Sequence, residues 1–228
     1  MARKKNLKPG VYVNVTDDIN DIAYTGTVNV KILKKDQVYS SRTFKNSGRW
    51  PLFYFLAGCL AGDYLTMETF RPKYIDLFNI TKDGGTSVPE INSTTNLSDY
   101  FNTDERVSTN TYPYSSQPDI SRKFDGANES EGVGIGEASA TFKFMIPFTQ
   151  LQSEGGVIKD IKAVCLYCDY NKSNFPNPSA FFFVVDPDDP TTLTSLIENA
   201  NEFNSAYINE YSLYIEWKLA LRNPKKVN

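Results

Sequence analysis

The sequence predicts an all-β protein, a single antiparallel β-sandwich of the jelly-roll-like kind over residues 1–228, with one short apolar helix and one long polar insertion. Three observations predict it. Aromatic residues make up 14% of the chain, apolar and polar side chains alternate in several segments, and the length suits one sandwich. Alternation indicates strands because successive side chains of a strand point to opposite faces.

Four strands are predicted in the first half, at residues 10–15, 27–33, 37–45 and 73–81. In residues 27–33 valine and isoleucine alternate with polar side chains, which is typical of a half-buried strand. The charged turn at residues 34–36 lets residues 37–45 return beside that strand, and the breaker at residues 46–48 ends them. These two strands are therefore expected to form a hairpin.

Four more strands are predicted in the second half, at residues 140–148, 157–170, 179–186 and 212–223. The last is the clearest, since five apolar side chains alternate with polar ones between Leu213 and Leu221. A slip of one residue would expose all five, so the register must be strongly specified. Residues 179–186 are continuously apolar, as in a strand buried on both faces, and a short helix is expected at residues 191–201.

The apolar helix is predicted at Pro51–Ala61, because proline suits the first turn and Gly62 suits a left-handed cap after the last. Its side chains are apolar nearly all round, so most of its surface is expected to be buried. It would either plug one end of the sandwich or lie at a subunit interface. Cys59, which lies in it, is expected to be a small core residue.

The polar insertion is predicted at residues 82–137, rich in Ser, Thr, Asn, Asp, Gly and Pro. A loop this long is usually a functional excursion, an interaction arm or a disordered insert, and we expect it to carry partner contacts. Its aromatic residues suit sugar stacking or protein contact: Tyr100, Phe101, Tyr112 and Tyr114. Gly132, Gly134 and Gly136 indicate a flexible linker, since a nucleotide-binding loop would be followed by a helix.

Charge and hydropathy narrow the classes of partner. The chain has 24 Lys and Arg against 27 Asp and Glu, a net charge of −3, which predicts no nucleic-acid partner. Residues 1–9 form a basic N-terminal arm that is either a solvated tail or a contact for an acidic neighbour. No apolar run approaches the roughly 20 residues that span a bilayer, so no membrane partner is predicted.

The chain contains no histidine, which excludes Ser-His-Asp, Cys-His and HExxH chemistry. Three cysteines are too few for a four-cysteine zinc site. Cys165 and Cys168 are spaced as in CxxC but lie within a predicted strand, where residues three apart point to opposite faces. Asp186, Asp188 and Asp189 lie between prolines and indicate a turn rather than a calcium site.

Two carboxylates alone can hydrolyse glycosides, but nothing in the sequence identifies such a pair. The sequence therefore predicts no catalytic residue, no cofactor-binding residue and no metal ligand. The chain is predicted not to be an enzyme.

Five segments carry a resemblance to a class of proteins: FKNSGRWPLFYFLAGCLAG, ATFKFMIPF, IKAVCLYCDY, PSAFFFVVDPDDP and YSLYIEWKLALRN. They resemble small β-rich virion proteins of tailed phages, of the collar, head-fibre or tail kind, including those of crAss-like phages. The resemblance covers about residues 28–80 and 138–223 and leaves out the insertion.

The resemblance implies a structural component of a tailed bacteriophage virion, without catalysis, that assembles with copies of itself as a homo-oligomer or with other virion proteins. Such a protein would be made soluble in the host cytoplasm and end in the virion. The alternative is a host-receptor or carbohydrate-binding module of the particle, which would use the aromatic residues of the insertion to contact host surface glycans.

Overall fold

The structure, a computed structural model, describes residues 23–48, 51–79, 106–107, 111–128, 133–152, 158, 161, 163–168, 180–185 and 208–222. In chain order the strands are β1 (Ala23–Lys34), β2 (Gln37–Lys45), β3 (Ser47–Gly48), β4 (Tyr74–Phe78), β5 (Tyr112–Pro113), β6 (Asp119–Asn128), β7 (Val133–Pro147), β8 (Ala163–Tyr167), β9 (Ala180–Val185) and β10 (Tyr211–Arg222), and the helices are α1 (Pro51–Ala61) and α2 (Tyr64–Phe70). The described fold is thus mostly β, with two short helices.

The strands form two antiparallel sheets. The large sheet has the order β2-β1-β10-β7-β6. The small sheet has three longer strands in the order β9-β8-β4, with the two-residue strands β3 and β5 at its edges. Antiparallel pairing throughout agrees with the predicted class.

β10 lies at the centre of the large sheet, between β1 and β7, and its register follows the alternation in its sequence. Trp217 is opposite Val28 on one side and Phe142 on the other, and all three side chains are buried. The alternate residues from Ser212 to Lys218 face away from the core and are half-buried. The predicted strand is confirmed, and its alternation holds from Leu213 to Trp217, whereas Leu219 and Leu221 are half-buried.

The inner faces of both sheets contribute to one apolar core. From the large sheet it takes side chains of β1, β7 and β10, and from the small sheet it takes Ile75, Leu77, Val164 and Leu166. Burying side chains of this size is the main favourable contribution to folding, about 1.5–3 kcal/mol for each fully buried one. Burial of this one core therefore stabilises both sheets.

The predicted hairpin of residues 27–33 and 37–45 is confirmed as β1 and β2. Lys35 and Asp36 connect the strands, and both have positive φ, 48° and 66°. A two-residue turn with positive φ at both positions matches the twist of the strands it joins. Neither residue is glycine, so this turn carries a small steric cost.

The described part of residues 82–137 is more regular than expected. β5, β6 and the start of β7 lie within it, and Gly134 and Gly136 belong to β7 rather than to a flexible linker. The five side chains from Asp119 to Lys123 are all exposed. β6 is an edge strand without an apolar face over these residues, so it shows no alternation in the sequence.

Several predictions concern residues outside the described ones: the basic arm at residues 1–9, the strand at residues 10–15, the helix at residues 191–201, Gly132 and the three aspartates at residues 186–189. They stay predictions. Among the described residues, no helix has the length and hydropathy that a membrane crossing requires.

Candidate functional site

Three regions of the described structure carry exposed or polar features that could serve a function. They are a helical hairpin made of α1 and α2, an open depression beside β5, and a buried ion pair on β4. The described residues contain no group of three or more Cys, Asp or Glu side chains placed to hold a metal ion. The sequence predicted no catalytic, cofactor-binding or metal-binding residue, but it indicated the helix Pro51–Ala61 and the aromatic residues of the insertion as contact surfaces.

The helical hairpin is held together by a close approach of its two helices. A Cβ atom at Gly58 would lie 2.9 Å from Cγ2 of Thr66 and 3.1 Å from the backbone nitrogen of Met67, so only glycine fits there without a shift of α2. The ring of Tyr54 stacks on that of Phe70, with centroids 5.1 Å apart. These contacts fix α2 against α1.

The turn between the helices follows from two residues. Gly62 has φ +65° and ends α1, as predicted. Asp63 caps α2, since its Oδ1 accepts from the backbone nitrogens of Leu65 and Thr66 and its Oδ2 accepts from Oγ1 of Thr66 at 2.6 Å. The hydrogen bonds from Thr66, first its hydroxyl and then its backbone N–H, lower the pKa of Asp63.

The hairpin exposes large apolar side chains around this turn. Leu60 is 72% exposed, and Tyr64 and Leu65 are each 75% exposed. Cys59 is exposed beside them, and partial burial raises the pKa of its thiol. We call residues 59–65 the hairpin tip. The expectation that Cys59 is a core residue does not hold. Within one chain α1 turns only part of its surface inward, with Leu52 and Gly58 buried, so the rest of the chain does not supply the burial expected for this helix.

The open depression has a volume of about 550 Å³ and is lined by residues of β5, β7 and the turn after β7: Thr111, Tyr112, Pro113, Tyr114, Ser115, Met145 and Gln150. Tyr112 is buried, and its hydroxyl donates to the Gln150 carbonyl at 3.1 Å. Tyr114 is half-buried against Phe142. Of the four aromatic residues named from the sequence, these two meet here; Tyr100 and Phe101 lie outside the described residues.

The buried ion pair joins Asp76 of β4 to Arg106. Nη2 of Arg106 lies 2.9 Å from Oδ1 of Asp76, whose side chain is 1% exposed. A bridge between Phe78 and Arg106 and a hydrogen bond from Val107 N to Leu77 O hold the same segment against β4. The paired carboxylate is shielded from solvent, which suits a structural role better than proton transfer.

Tyr167 of β8 lies close to this pair and is fully buried. Burial raises its pKa well above the ordinary value, Cys165 and Asp76 add to the rise, and the Arg106 guanidinium opposes it. Its phenol therefore stays neutral at physiological pH. Cys165 and Cys168 are both buried free thiols, Cys165 within β8 and Cys168 just after it, which agrees with the structural interpretation of the CxxC spacing.

The outer face of the large sheet is polar and internally bonded. One polar row crosses all five strands: Thr43, Asn29, Glu216, Lys143 and Asp119. Thr43 donates to Asn29 at 2.7 Å, Asn29 donates to Glu216 at 3.4 Å, and Lys143 pairs with Asp119 at 2.5 Å. These side chains bond in two groups, one of Thr43, Asn29 and Glu216 and one of Lys143 and Asp119, which is typical of a solvated surface.

The second helix of the helical hairpin, α2, was not predicted from the sequence, although a signal for it was present. Asp63 is a favourable N-cap residue, and the Leu, Met and Glu that follow favour a helix. A helix there makes Tyr64 and Leu65 exposed residues of its first turn.

No protein-family model, no curated protein and no solved structure matches this chain.

Proposed function

We propose that this protein is a structural component of a tailed bacteriophage virion, associated with the collar, head fibre or tail, and that it acts through protein–protein assembly. The observation that carries the proposal is the hairpin tip. Three large apolar side chains within six residues, each at least 72% exposed, form a surface of the kind that marks protein-interaction sites.

The composition of α1 supports the same conclusion. The helix has no charged residue along its eleven positions. A helix that is apolar on every side is normally buried on every side, yet Tyr54 and Leu60 are 53% and 72% exposed. A partner that covered them would complete the burial that the sequence of α1 indicates.

The phage assignment is supported by the resemblance of residues 28–80 and 138–223 to small β-rich virion proteins. The shared apolar core of the two sheets supports the sandwich architecture, and we propose a jelly-roll-like arrangement of its strands. Such sandwiches suit assembly, since rigid sheets hold surface loops and helices in fixed positions.

Peptide mass fingerprinting of purified virus particles tests the proposal. The protein is expected among the particle proteins at a stoichiometry that stays constant through repeated gradient purification. Its absence from particles, in cells that contain the folded protein, would contradict a virion role.

A carbohydrate-binding module is the second candidate, and the open depression beside β5 favours it. The half-buried ring of Tyr114 lies with the exposed polar residues Thr111 and Gln150 in a space of about 550 Å³, and protein sites for sugars combine aromatic rings with polar groups. Binding of the purified protein to a glycan array, lost in Tyr114→Ala, is the expected result. A folded protein that binds no glycan on the array or on host cells would exclude this candidate.

A further inference from the structure

The hairpin tip is the exposed apolar surface of the described structure that combines several large side chains with a nearly uncharged setting. Among the residues that the structure describes, the other large exposed apolar side chains outside the hairpin lie on strands of the large sheet: Val38, Tyr39, Ile120 and Met145. They lie near charged neighbours such as Lys34, Arg122 and Lys143. The apolar character of the tip therefore limits the kind of partner that can bind it more than that of any other exposed surface described.

We propose that the hairpin tip binds the same surface of a second copy of this chain, so that the protein forms a two-fold symmetric dimer. The inference deepens the proposed function and rests on it, since it names one partner for the assembly surface. In a two-fold contact the same patch meets itself, so the patch must be compatible with its own charges.

The charges of the hairpin meet that requirement. Asp63 is the one charged residue of the tip, and its oxygens already accept hydrogen bonds from Leu65 and Thr66. Glu68 on α2 is paired with Arg71 at 3.1 Å and with Lys73 at 2.9 Å. A second copy therefore brings one further exposed carboxylate, that of Asp63, to the contact, and like-charge repulsion across the axis is limited to this one pair.

The area also agrees with a small dimer interface. At roughly 200 Å² for a whole side chain of this size, the exposed parts of Leu60, Tyr64 and Leu65 amount to roughly 450 Å². A standard interface buries about 800 Å² on each partner, with an apolar centre and a polar rim. The tip would supply the centre, and the polar residues Thr69 of α2 and Arg71, which follows its last residue, would supply part of the rim.

The mass of the purified full chain in solution tests the dimer. Light scattering after gel filtration, or analytical ultracentrifugation over a concentration series, is expected to give twice the 25.7 kDa of one chain. A mass of one chain at every concentration would overturn the proposal.

Leu60→Lys tests whether the dimer forms through the tip. A cation in the last turn of α1 is favourable for the helix dipole, so the monomer is expected to keep its fold and its melting temperature. Two desolvated cations near the axis are expected to raise the dissociation constant by roughly two orders of magnitude. Ile120→Lys is the matched control, because Ile120 is 82% exposed on β6 and its change leaves the dimer intact. A dimer as tight in Leu60→Lys as in Ile120→Lys would overturn the proposal.

Cys59 gives an independent measurement on the unaltered protein. It is the exposed cysteine of three, with Cys165 and Cys168 each 0% exposed, so a maleimide applied to the folded chain reports on Cys59. Its rate of alkylation at mildly alkaline pH is expected to fall about tenfold or more as the dimer forms, and to stay high in Leu60→Lys. A rate that does not change with dimerisation would place the interface elsewhere.

The two proposals fail in different ways. A chain that is monomeric in solution but present in purified particles leaves the virion role standing and removes the dimer. A chain that dimerises through the tip but is absent from particles removes the virion role alone.

Discussion

The two sheets share a core but differ on their outer faces. The strands of the large sheet are 9 to 15 residues long, and their outward side chains form polar rows such as Asn29, Glu216 and Lys143. The longer strands of the small sheet have only 5 or 6 residues, and every side chain of β4 and β8 is buried. One sheet separates core from solvent, whereas two strands of the other are buried on both faces.

This difference changes what can fix the register of each sheet. In the large sheet a slip of one residue would exchange apolar and polar faces, which is strongly unfavourable. In β4 and β8 a slip would exchange one buried face for another, so apolar patterning distinguishes registers only weakly. The Asp76–Arg106 pair is the buried ionic contact described for β4, and buried ion pairs can select one arrangement because the alternatives leave a charge buried alone.

The largest expected effect comes from breaking this pair. Asp76→Ala removes the Asp76 carboxylate from Arg106, which is 16% exposed, and the expected loss in the free energy of unfolding is about 3 kcal/mol. The matched change on the large sheet is Lys218→Ala, which breaks the more exposed pair with Glu137 and is expected to cost about 0.5 kcal/mol. Urea denaturation of the three proteins measures both differences.

The double variant Asp76→Leu with Arg106→Leu separates charge burial from pairing. An apolar pair in place of the ions is expected to recover most of the stability lost in Asp76→Ala, because no charge is then buried alone. Equal losses in Asp76→Ala and Lys218→Ala would contradict the difference between the two sheets.

Alkaline pH should distinguish the sheets by a smaller amount. Burial raises the pKa of Tyr167 in the small sheet well above its ordinary value, and burial followed by the Glu216 charge raises the pKa of Tyr214 on the large sheet less strongly. Because each folded pKa exceeds the unfolded one, the neutral phenol stabilises the fold fully below the unfolded pKa of about 10. That contribution is lost as the pH rises through the folded pKa.

Tyr167→Phe is therefore expected to lose less stability between neutral and alkaline pH than the unaltered protein, which moves its alkaline unfolding midpoint to higher pH. Tyr214→Phe is expected to move this midpoint less. Circular dichroism during titration above pH 10 measures the midpoints. A larger shift in Tyr214→Phe would mean that the outer face of the large sheet is the drier environment.

The same difference explains how much of the fold the sequence could predict. Leu213, Ile215 and Trp217 alternate with polar residues because one face of β10 meets the core and the other meets solvent, and that strand is confirmed almost to the residue. The predicted alternation in β4 does not correspond to exposure, since Asp76 and Phe78 are as buried as Ile75. The pattern of a sequence reports exposure to water, and β4 has little.

The helical hairpin of α1 and α2 shows what local sequence signals can and cannot predict. The helix Pro51–Ala61 was predicted with its correct bounds, because proline, apolar residues and a terminal glycine are local signals. Whether its apolar surface plugs the sandwich or lies at a subunit interface stayed open, because burial depends on how α1 lies against the sheets and α2. The ion pair of Asp76 and Arg106 was equally invisible, since the two residues are 30 positions apart and no local pattern links them.

The smallest expected effect concerns the turn between β1 and β2, a local feature of the large sheet. Asp36 has φ +66°, a conformation that costs a non-glycine residue energy and costs glycine none. Asp36→Gly is expected to raise the free energy of unfolding by about 0.5 kcal/mol, measured by urea denaturation.

Lys35→Gly is the matched control, because Lys35 also has positive φ but pairs with Glu210 at 2.8 Å beside the start of β10. It gains the same backbone freedom and loses a contact, so its stability should change less. Stabilisation by Lys35→Gly beyond that by Asp36→Gly would show that the Glu210 pair contributes nothing to joining the turn to β10.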